Sequence, residues 1–281
     1  MESIEELSTH TVALAARLRA LREATNMTGK QLASRLGWYP SKISRLERGH
    51  TVPSAEDLAQ WATACDAAPA EWHVLEKLRA ELELSTAAHR DWRRRLRSGH
   101  AAVQTDYDQR IAATTIMSSL ETVFIPGMLQ TPAYARCVIE EMHQLHETTG
   151  DVDAAVAARM HRQRWLYDQT KRFGFLLAEP VLLWGVCPRE VMLAQIDRLT
   201  TAATLPHVRL GVLPLGRRLT LSPQHGFTLY DSTAVVETFT SELVYRGDDA
   251  ESYARILALL WESALEGEDA LRLLRGTMTR I

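Results

Sequence analysis

Residues 28–49 most constrain the fold, because two short helical patterns meet there at a single glycine. Thr28 with Gln31 three residues later predicts a helix start, since each side chain can accept a hydrogen bond from a free backbone N–H. Gly37 suits a tight reversal, because glycine tolerates a positive φ, and Pro40 is typical of a first helical residue. An apolar stripe and a closing glycine complete the second pattern. The segment therefore predicts a helix-turn-helix, whose second helix would lie in the DNA major groove.

The same segment resembles the XRE, or lambda-repressor-like, family of DNA-binding proteins. Ile-Ser-Arg-Leu-Glu-Arg-Gly at positions 43–49 is close to the usual family sequence, and Thr51-Val-Pro-Ser-Ala-Glu-Asp-Leu58 follows it. The alternative is an ordinary αα-hairpin, but the order of caps and turn favours the DNA-binding motif. The resemblance implies that Arg22 of the preceding helix pairs with Glu47 and holds the recognition helix at its angle. Tyr39 replaces the family's common Ser or Thr cap, so its phenol either reaches DNA or packs.

Candidate DNA-binding residues follow from their positions relative to the turn. Ser41, Ser44 and Arg45 are expected to point towards the groove floor, and the Arg45 fork can pair with guanine O6 and N7. Lys42 at the flank is expected to meet a phosphate, and Gly29 would let backbone N–H groups approach another. The full predicted set is Thr28, Gly29, Lys30, Gln31, Tyr39, Ser41, Lys42, Ser44, Arg45 and Arg48.

The local charge of this region fits a nucleic-acid partner although the whole chain is slightly acidic. The 281 residues include 32 Lys and Arg against 35 Asp and Glu, which gives a formal net charge of −3. Residues 10–50 carry eight Arg or Lys against two Glu, a local charge of +6. Phosphate groups would meet this local patch rather than the global balance.

Other classes of protein and site find little support in the sequence. No run of eighteen uncharged apolar residues occurs, no apolar signal core is present, and three scattered cysteines suit a reducing cytoplasm. His143 and His146 lack further metal ligands, and Ser222 with His225 lacks a nucleophile elbow. Glycine-rich phosphate loops are also missing. We therefore expect a cytoplasmic protein that is not an enzyme, with no catalytic residues, no metal, no cofactor and no membrane partner.

The pattern changes after the motif, which predicts two domains and a connector. Ser54 should cap a helix, and Pro69 should open another. Residues 81–115 are predicted to be a helical connector, with helical composition to about residue 120 and a possible dimer contact. Its basic run at 90–97 is either a solvated face or a second DNA-contacting stripe.

Beyond the connector, the sequence predicts alternating short strands and helices. Strands are predicted at 173–177, 182–186, 208–213, 226–230, 234–236 and 243–245. Helices are predicted at 152–169, 189–199 and 250–263, and another helix is expected to begin at Thr131-Pro132. The predicted fold is an all-α helix-turn-helix domain at residues 1–80 followed by an α/β or α+β domain at 116–281.

The second half also resembles a known group. The matching segments are Phe-Ile-Pro-Gly-Met-Leu-Gln-Thr-Pro-Ala-Tyr-Ala at 124–135, Arg159-Met-His-Arg-Gln163, Ala178-Glu179, Gln195 and Val212-Leu-Pro214. They are similar to the C-terminal domain of an actinobacterial group of antitoxin-like transcription regulators, whose members carry an XRE motif and are often encoded beside a small partner protein. The resemblance implies a sequence-specific regulator whose C-terminal domain binds such a partner. A small-molecule effector in an α/β pocket is the alternative.

Four further expectations concern assembly and the second half. A lone recognition helix reads few base pairs, so we expect a homodimer on a palindromic operator of double-stranded DNA. Arg159 and Arg162 are expected to be solvated or salt-bridged, and Glu179 to be a surface or capping group. The apolar turn at residues 124–136 is expected to belong to the core rather than to a docking edge, because apolar residues are mostly buried.

Overall fold

The computed structural model describes residues 9–97, 100–148 and 150–281, which divide into two units between residues 88 and 89. The helices are α1 (Thr9–Ala24), α2 (Gly29–Leu36), α3 (Pro40–Glu47), α4 (Ala55–Ala64), α5 (Pro69–Arg97), α6 (His100–Ala112), α7 (Pro132–His146), α8 (Val152–Arg162), α9 (Arg189–Ala202), α10 (Asp248–Trp261) and α11 (Gly267–Thr277). The strands are β1 (Ile116–Glu121), β2 (Arg172–Ala178), β3 (Val208–Leu213), β4 (Phe227–Tyr230), β5 (Thr233–Glu237), β6 (Glu242–Tyr245) and β7 (Leu265–Glu266). Short 3₁₀ turns occupy Gly127–Leu129, Gln163–Tyr167 and Glu179–Leu182.

One apolar core holds the helices of the first unit together. Leu18, Leu32 and Ile43 come from α1, α2 and α3 and are almost wholly buried. The Trp61 indole of α4 joins them, and its Nε1 donates a hydrogen bond to the Leu18 carbonyl at 3.2 Å. Burial of these side chains removes apolar surface from water and thereby stabilises the packing of the motif.

The predicted caps of the helix-turn-helix are present in the structure. Thr28 and Gln31 form a reciprocal capping box at the start of α2, and Ser54 with Asp57 forms another at α4. Gly37 has a φ of 68°, the left-handed conformation that its position after α2 requires. These caps satisfy backbone groups that a helix cannot satisfy internally, so the sequence fixes the ends of α2 and α4 locally.

The described strands of the second unit form one mixed sheet in the order β6-β5-β4-β1-β2-β3-β7. β1, β2 and β3 run parallel, with α7 and α8 connecting the first pair and α9 the second. β4, β5 and β6 extend the β1 side with antiparallel pairing, and β7 pairs antiparallel with β3. Parallel neighbours need such crossover helices, whereas the antiparallel side can be joined by short turns.

Helices pack on both faces of this sheet. Phe173 and Phe175 of β2 lie on the first face, where α7, α9 and α11 contribute to the core. Leu176 lies on the second face and packs with α10. Trp261 of α10 lies over Gly211 of β3, where a Cβ would overlap the indole ring, so the glycine permits this close approach. The predicted class, a helical motif domain followed by a mixed α/β domain, is confirmed.

Two parts of the strand prediction are wrong. Residues 182–186 are not a strand: a 3₁₀ turn begins at Glu179 directly after β2, with Pro180 in its first turn, and Leu182 at its end is buried in the core. A short apolar run alone does not distinguish a strand from other buried backbone. The helical composition expected to about residue 120 ends earlier, because residues 116–121 form β1 at the centre of the sheet. The Ser118-Ser119 pair hides the apolar character of this strand.

The remaining predictions for the second unit agree with the structure more closely. Ile125, Met128 and Leu129 are fully buried, and Phe124 packs partly buried against the same core, which confirms that the apolar turn is core. Thr131 caps α7 as expected. α11 and β7 had no counterpart in the prediction. The sequence Ser98-Gly99-His100 also predicts a break in the connector; residues 98–99 lie outside the described residues, and α6 begins at His100. None of the described helices combines the length and apolarity needed to cross a membrane.

Candidate nucleic-acid interface

The recognition helix α3 has one buried face and one exposed face. Ile43 and Leu46 are buried in the core of the first unit. Ser41, Arg45 and Arg48 are exposed at intervals of four and three residues. Residues three and four apart share a helix face, so these side chains form one exposed stripe opposite the core, with Ser44 half-buried at its edge. The predicted groove-facing residues therefore lie together.

Four of the eight basic residues at positions 10–50 are neutralised by carboxylates within the first unit. The pairs are Arg17–Glu71 at 2.9 Å, Arg19–Glu23 at 2.8 Å, Arg22–Glu47 at 2.5 Å and Lys42–Asp57 at 2.6 Å. Those without a carboxylate within 4.0 Å, in the part of the chain that the structure describes, are Lys30, Arg35, Arg45 and Arg48. The basic residues left free to bind a phosphate therefore lie on or directly after α2 and α3. Arg35 is one of them, although it was not among the predicted DNA-binding residues.

Lys42 is engaged differently from the phosphate contact that its position predicts. Its ammonium group binds Asp57 Oδ1 at 2.6 Å and lies 3.8 Å from the centre of the Trp38 ring. Asp57 also caps α4, so Lys42 links the recognition helix to the next helix. A cation between a carboxylate and an aromatic face already has favourable partners. Its phosphate contact stays a prediction, and it would require release from Asp57.

The start of α2 is occupied by its own capping interactions. Gln31 Oε1 accepts from the Thr28 N–H at 2.8 Å and from the Thr28 hydroxyl at 2.9 Å. Gly29 and Lys30 follow in the first turn, and a Cβ at Gly29 would make only an ordinary contact with Ile43. Backbone N–H groups at this end remain suited to an anion, since helix N-termini carry partial positive charge. The glycine itself is not required by packing.

Arg22 and Glu47 meet as the resemblance implies. Arg22 Nε donates to Glu47 Oε1 at 2.5 Å and Nη2 donates to Oε2 at 3.1 Å, while Nη1 donates to the Met27 carbonyl at 2.8 Å. The side chains are 11% and 13% exposed. The hydrogen bonds to Glu47 raise the pKa of Arg22 above its ordinary value. This two-point contact joins the end of α1 to the last turn of α3 and fixes the direction of the recognition helix.

Tyr39 stands at the N-cap of α3 and is 83% exposed. Its side chain makes no capping hydrogen bond within the described first unit. The alternative that the phenol packs into the unit is therefore excluded. It projects beside the exposed stripe of α3, where it can contact a groove wall.

Two family models match the chain. Residues 13–75 match a helix-turn-helix domain, and this range contains α2 and α3. Residues 107–276, more than half of the chain, match DUF5753, a domain of unknown function. The chain belongs to the DUF5753 family. No curated protein matches it. The motif match identifies the first unit as a helix-turn-helix domain of a DNA-binding regulator, whereas the actinobacterial antitoxin-like grouping stays a prediction.

The DUF5753 domain corrects two expectations about its polar residues. Arg162 is buried and has no carboxylate within 4.0 Å among the described residues, so the prediction that it is solvated or salt-bridged is wrong. Arg159 is bound by two amide oxygens rather than by a carboxylate. Glu179 is not a surface group: it is 5% exposed and binds the Leu215 N–H at 2.7 Å and Arg280 at 2.5 Å. No cluster of three metal-ligating side chains occurs in the described DUF5753 domain.

Proposed function

We propose that the protein is a sequence-specific transcription regulator that places α3 in the major groove. The observation that carries the proposal is the exposed stripe of α3, in which Arg45 and Arg48 are exposed without carboxylate partners among the described residues. The opposite face of the helix is fixed by the core and by the Arg22–Glu47 pair. A cationic, rigidly held helix face of this size suits the major groove of B-DNA.

The residues of the patch have different proposed roles. Arg45 in the middle of the exposed stripe and Ser41 at its N-terminal end read base edges. Lys30 in the first turn of α2 and Arg48 at the C-terminal end of the stripe bind phosphates, and the backbone N–H groups of the α2 N-terminus add to these contacts. Phosphate contacts position the protein without reading sequence, whereas base contacts specify the site. We infer further that two chains bind a palindrome with half-sites one helical turn apart.

The test compares affinity and its salt dependence for full-length variants. Operator DNA is first selected from a random library, and a scrambled duplex serves as reference. Arg45→Ala is expected to lose about 1–3 kcal/mol on the operator and to relax preference at one base pair. Arg48→Ala is expected to weaken both duplexes alike and to reduce the salt slope by about one per bound subunit.

The matched control is Arg17→Ala, because Arg17 is paired with Glu71 and lies on α1. It should change operator affinity little. An equal loss on operator and scrambled DNA for Arg45→Ala would make Arg45 a phosphate clamp and would contradict this placement of α3. Operators with one half-site removed test the dimer, which requires a steep loss of affinity.

The DUF5753 domain is proposed to receive the regulatory signal. The small partner protein implied by the resemblance stays one candidate input. The second candidate, a small-molecule effector, is supported by a specific arrangement of buried polar groups on one face of the sheet. The hydrogen-bonding needs of these buried groups also indicate which chemical class of effector would bind.

A further inference from the structure

A cluster of polar and aromatic side chains, about half of them buried, lies on the first face of the sheet, where α6 packs against α8. Register and strand alternation place Tyr230, Glu237 and Glu242 on this face. We call it the Tyr107 cluster, and its members are Trp92, Arg95, Tyr107, Arg110, Arg159, Arg162, Tyr230, Glu237 and Glu242.

Three guanidinium groups surround the Tyr107 ring. The Cζ atoms of Arg162, Arg110 and Arg95 lie 5.1, 5.6 and 6.0 Å from its centre. The Tyr107 hydroxyl donates to Glu237 and contacts Glu242 at 3.3 Å. Cations are attracted to the face of an aromatic ring, but the ring does not replace the hydrogen-bond acceptors that a buried guanidinium needs.

One side of the cluster is well paired. Arg95 Nη1 and Arg110 Nη2 donate to Glu242 Oε1 at 2.8 and 2.9 Å, and Arg95 Nε donates to Asp106 at 2.9 Å. These bonds keep the pKa of Glu242 below its ordinary value although burial opposes them. Two carboxylates thus face two arginines here.

The other side lacks such pairing. Arg159 donates to the amide oxygens of Gln104 and Gln130 at 3.1 and 2.8 Å. Arg162 is 7% exposed, and its Nε and Nη1 are buried without an acceptor among the described residues. Gly127 permits this position, because a Cβ there would overlap Arg162 Nη2. The buried Arg162 and its half-buried neighbour Arg159 are therefore both without an ion pair among the described residues.

The unsatisfied atoms of the cluster are all N–H donors. Besides the two atoms of Arg162, they are Nη2 of Arg95 and Nε1 of Trp92 in the described part of α5. Guanidinium and indole groups have no acceptor function, so they cannot satisfy one another. Lys171 of the same domain shows the usual solution, since its ammonium donates to three carbonyls at 2.7–3.0 Å.

The cluster also lacks negative charge to balance its arginines. The cluster contains four arginines and two glutamates, and Asp106 at its edge adds a third carboxylate. Burial and the charge of Arg162 lower the pKa of Arg159 to about 9, which still leaves Arg159 protonated at neutral pH. Burying uncompensated charge is costly. An anion would offset that cost, since carboxylates and phosphates supply acceptors and negative charge together.

We propose that the Tyr107 cluster is a binding site for the carboxylate or phosphate group of a small molecule, held by Arg162, Arg95 and Trp92. A carboxylate and a phosphate group share the chemistry that this site requires, because both supply negative charge and hydrogen-bond acceptors. The inference supplies a chemical class for the effector candidate of the proposed function. It concerns binding by the DUF5753 domain and is tested without DNA, so its failure would leave the role of α3 untouched.

The experiment measures thermal unfolding of the full-length protein and isothermal titration with two probes, inorganic phosphate and succinate. Sodium chloride keeps the ionic strength constant, so that general screening cannot produce the effect. A ligand that binds only the folded state raises its melting temperature. At a hundredfold excess over Kd we expect the melting temperature to rise by roughly 5–10 °C for one of the probes. The same probe should give a saturable heat of binding in the titration. The probe that acts identifies the phosphate or the carboxylate source.

Variants assign the response to the cluster. Arg162→Met removes both unsatisfied donors at similar volume, so the response should disappear while the protein without ligand stays folded. Arg164→Met is the matched control: Arg164 follows two positions later, is 40% exposed and pairs with Asp108. Its response should match that of the wild type. Arg45→Ala should also retain the response, which separates the cluster from phosphate bound at α3.

Two results would overturn the proposal. One is the absence of a saturable response to either probe in the wild type. The other is a response that persists unchanged in Arg162→Met. Should Arg162→Met fail to fold, Arg95→Lys provides the same comparison, because it keeps the charge and removes the free Nη2 donor; an unaltered Kd would then contradict the site.

Discussion

Removal of one partner from the Arg22–Glu47 pair should destabilise the first unit far more than removal of both. Arg22→Met leaves the largely buried Glu47 carboxylate without the two N–H donors of Arg22. It also removes the Nη1 donor that binds the Met27 carbonyl. Breaking a fully buried pair costs about 3–5 kcal/mol. Both side chains here retain 11–13% exposure, so partial hydration of Glu47 reduces the expected cost to roughly 2–3 kcal/mol.

The double variant Arg22→Met, Glu47→Leu should recover most of that loss. It replaces both charges by apolar groups of comparable length, and such replacements of buried pairs are often neutral. We expect it to remain within about 1 kcal/mol of the wild type, because only the bond to the Met27 carbonyl and a long contact of Arg22 Nη2 with the exposed Glu23 carboxylate, at 3.4 Å, are then lost without replacement. Glu47→Leu alone should cost roughly as much as Arg22→Met, since it leaves the guanidinium unpaired.

Hydrogen exchange of the α3 amides measures this stability in the full-length protein without assuming that both units unfold together. A loss of 2–3 kcal/mol corresponds to roughly 30–150-fold faster exchange at Ile43 and Leu46. Amides of β2 serve as an internal control and should not change. Unaltered α3 exchange in Arg22→Met, or a double variant as unstable as the two single losses added, would refute the view that the pair holds the recognition helix.

Three smaller predictions follow from other contacts. Lys42→Met should lower the stability of the first unit by about 1 kcal/mol, because the bond to Asp57 and the contact with Trp38 are partly exposed; an unchanged melting temperature would return Lys42 to a purely DNA-binding role. Gly127→Ala should destabilise the DUF5753 domain by about 1–3 kcal/mol and should become nearly harmless in Arg162→Met, as a thermal double-mutant cycle would show. Burial raises the pKa of Glu121 to about 8, so the folded state retains a proton that the unfolded chain loses near its ordinary pKa. Stability should therefore fall as pH rises from about 4.5 to 8, and Glu121→Gln should flatten the dependence of melting temperature on pH.

The helix-turn-helix could be predicted from sequence because its determinants are local. Thr28 and Gln31 satisfy each other's backbone groups within one turn, and Gly37 supplies its left-handed conformation without help from distant residues. Pairing of the basic residues was harder to foresee. Lys42 meets Asp57 fifteen positions later, and only the fold shows that this contact withdraws Lys42 from the free patch.

The sheet and the Tyr107 cluster depend on contacts that no local pattern encodes. β1 lies between β4 and β2, with fifty residues between β1 and β2 in the chain. Its serines face neighbours that sequence periodicity cannot identify. Arg159 and Arg162 share a helix face by their spacing, which was visible in the sequence. The sequence does not show that α6 and the sheet cover this face and leave Arg162 without a carboxylate.

The half-buried Arg22 and the buried Arg162 show how the surroundings of a guanidinium group separate a structural from a ligand-binding role. Arg22 has a carboxylate on two nitrogens and a carbonyl on the third, and these bonds raise its pKa. Arg162 has an aromatic face beside it and two donors without acceptors, and burial lowers its pKa. All three nitrogens of Arg22 have acceptors within the chain, so replacing its partner Glu47 should destabilise the fold. The second lacks a counter-charge, so replacing it by methionine should spare the fold and remove the anion.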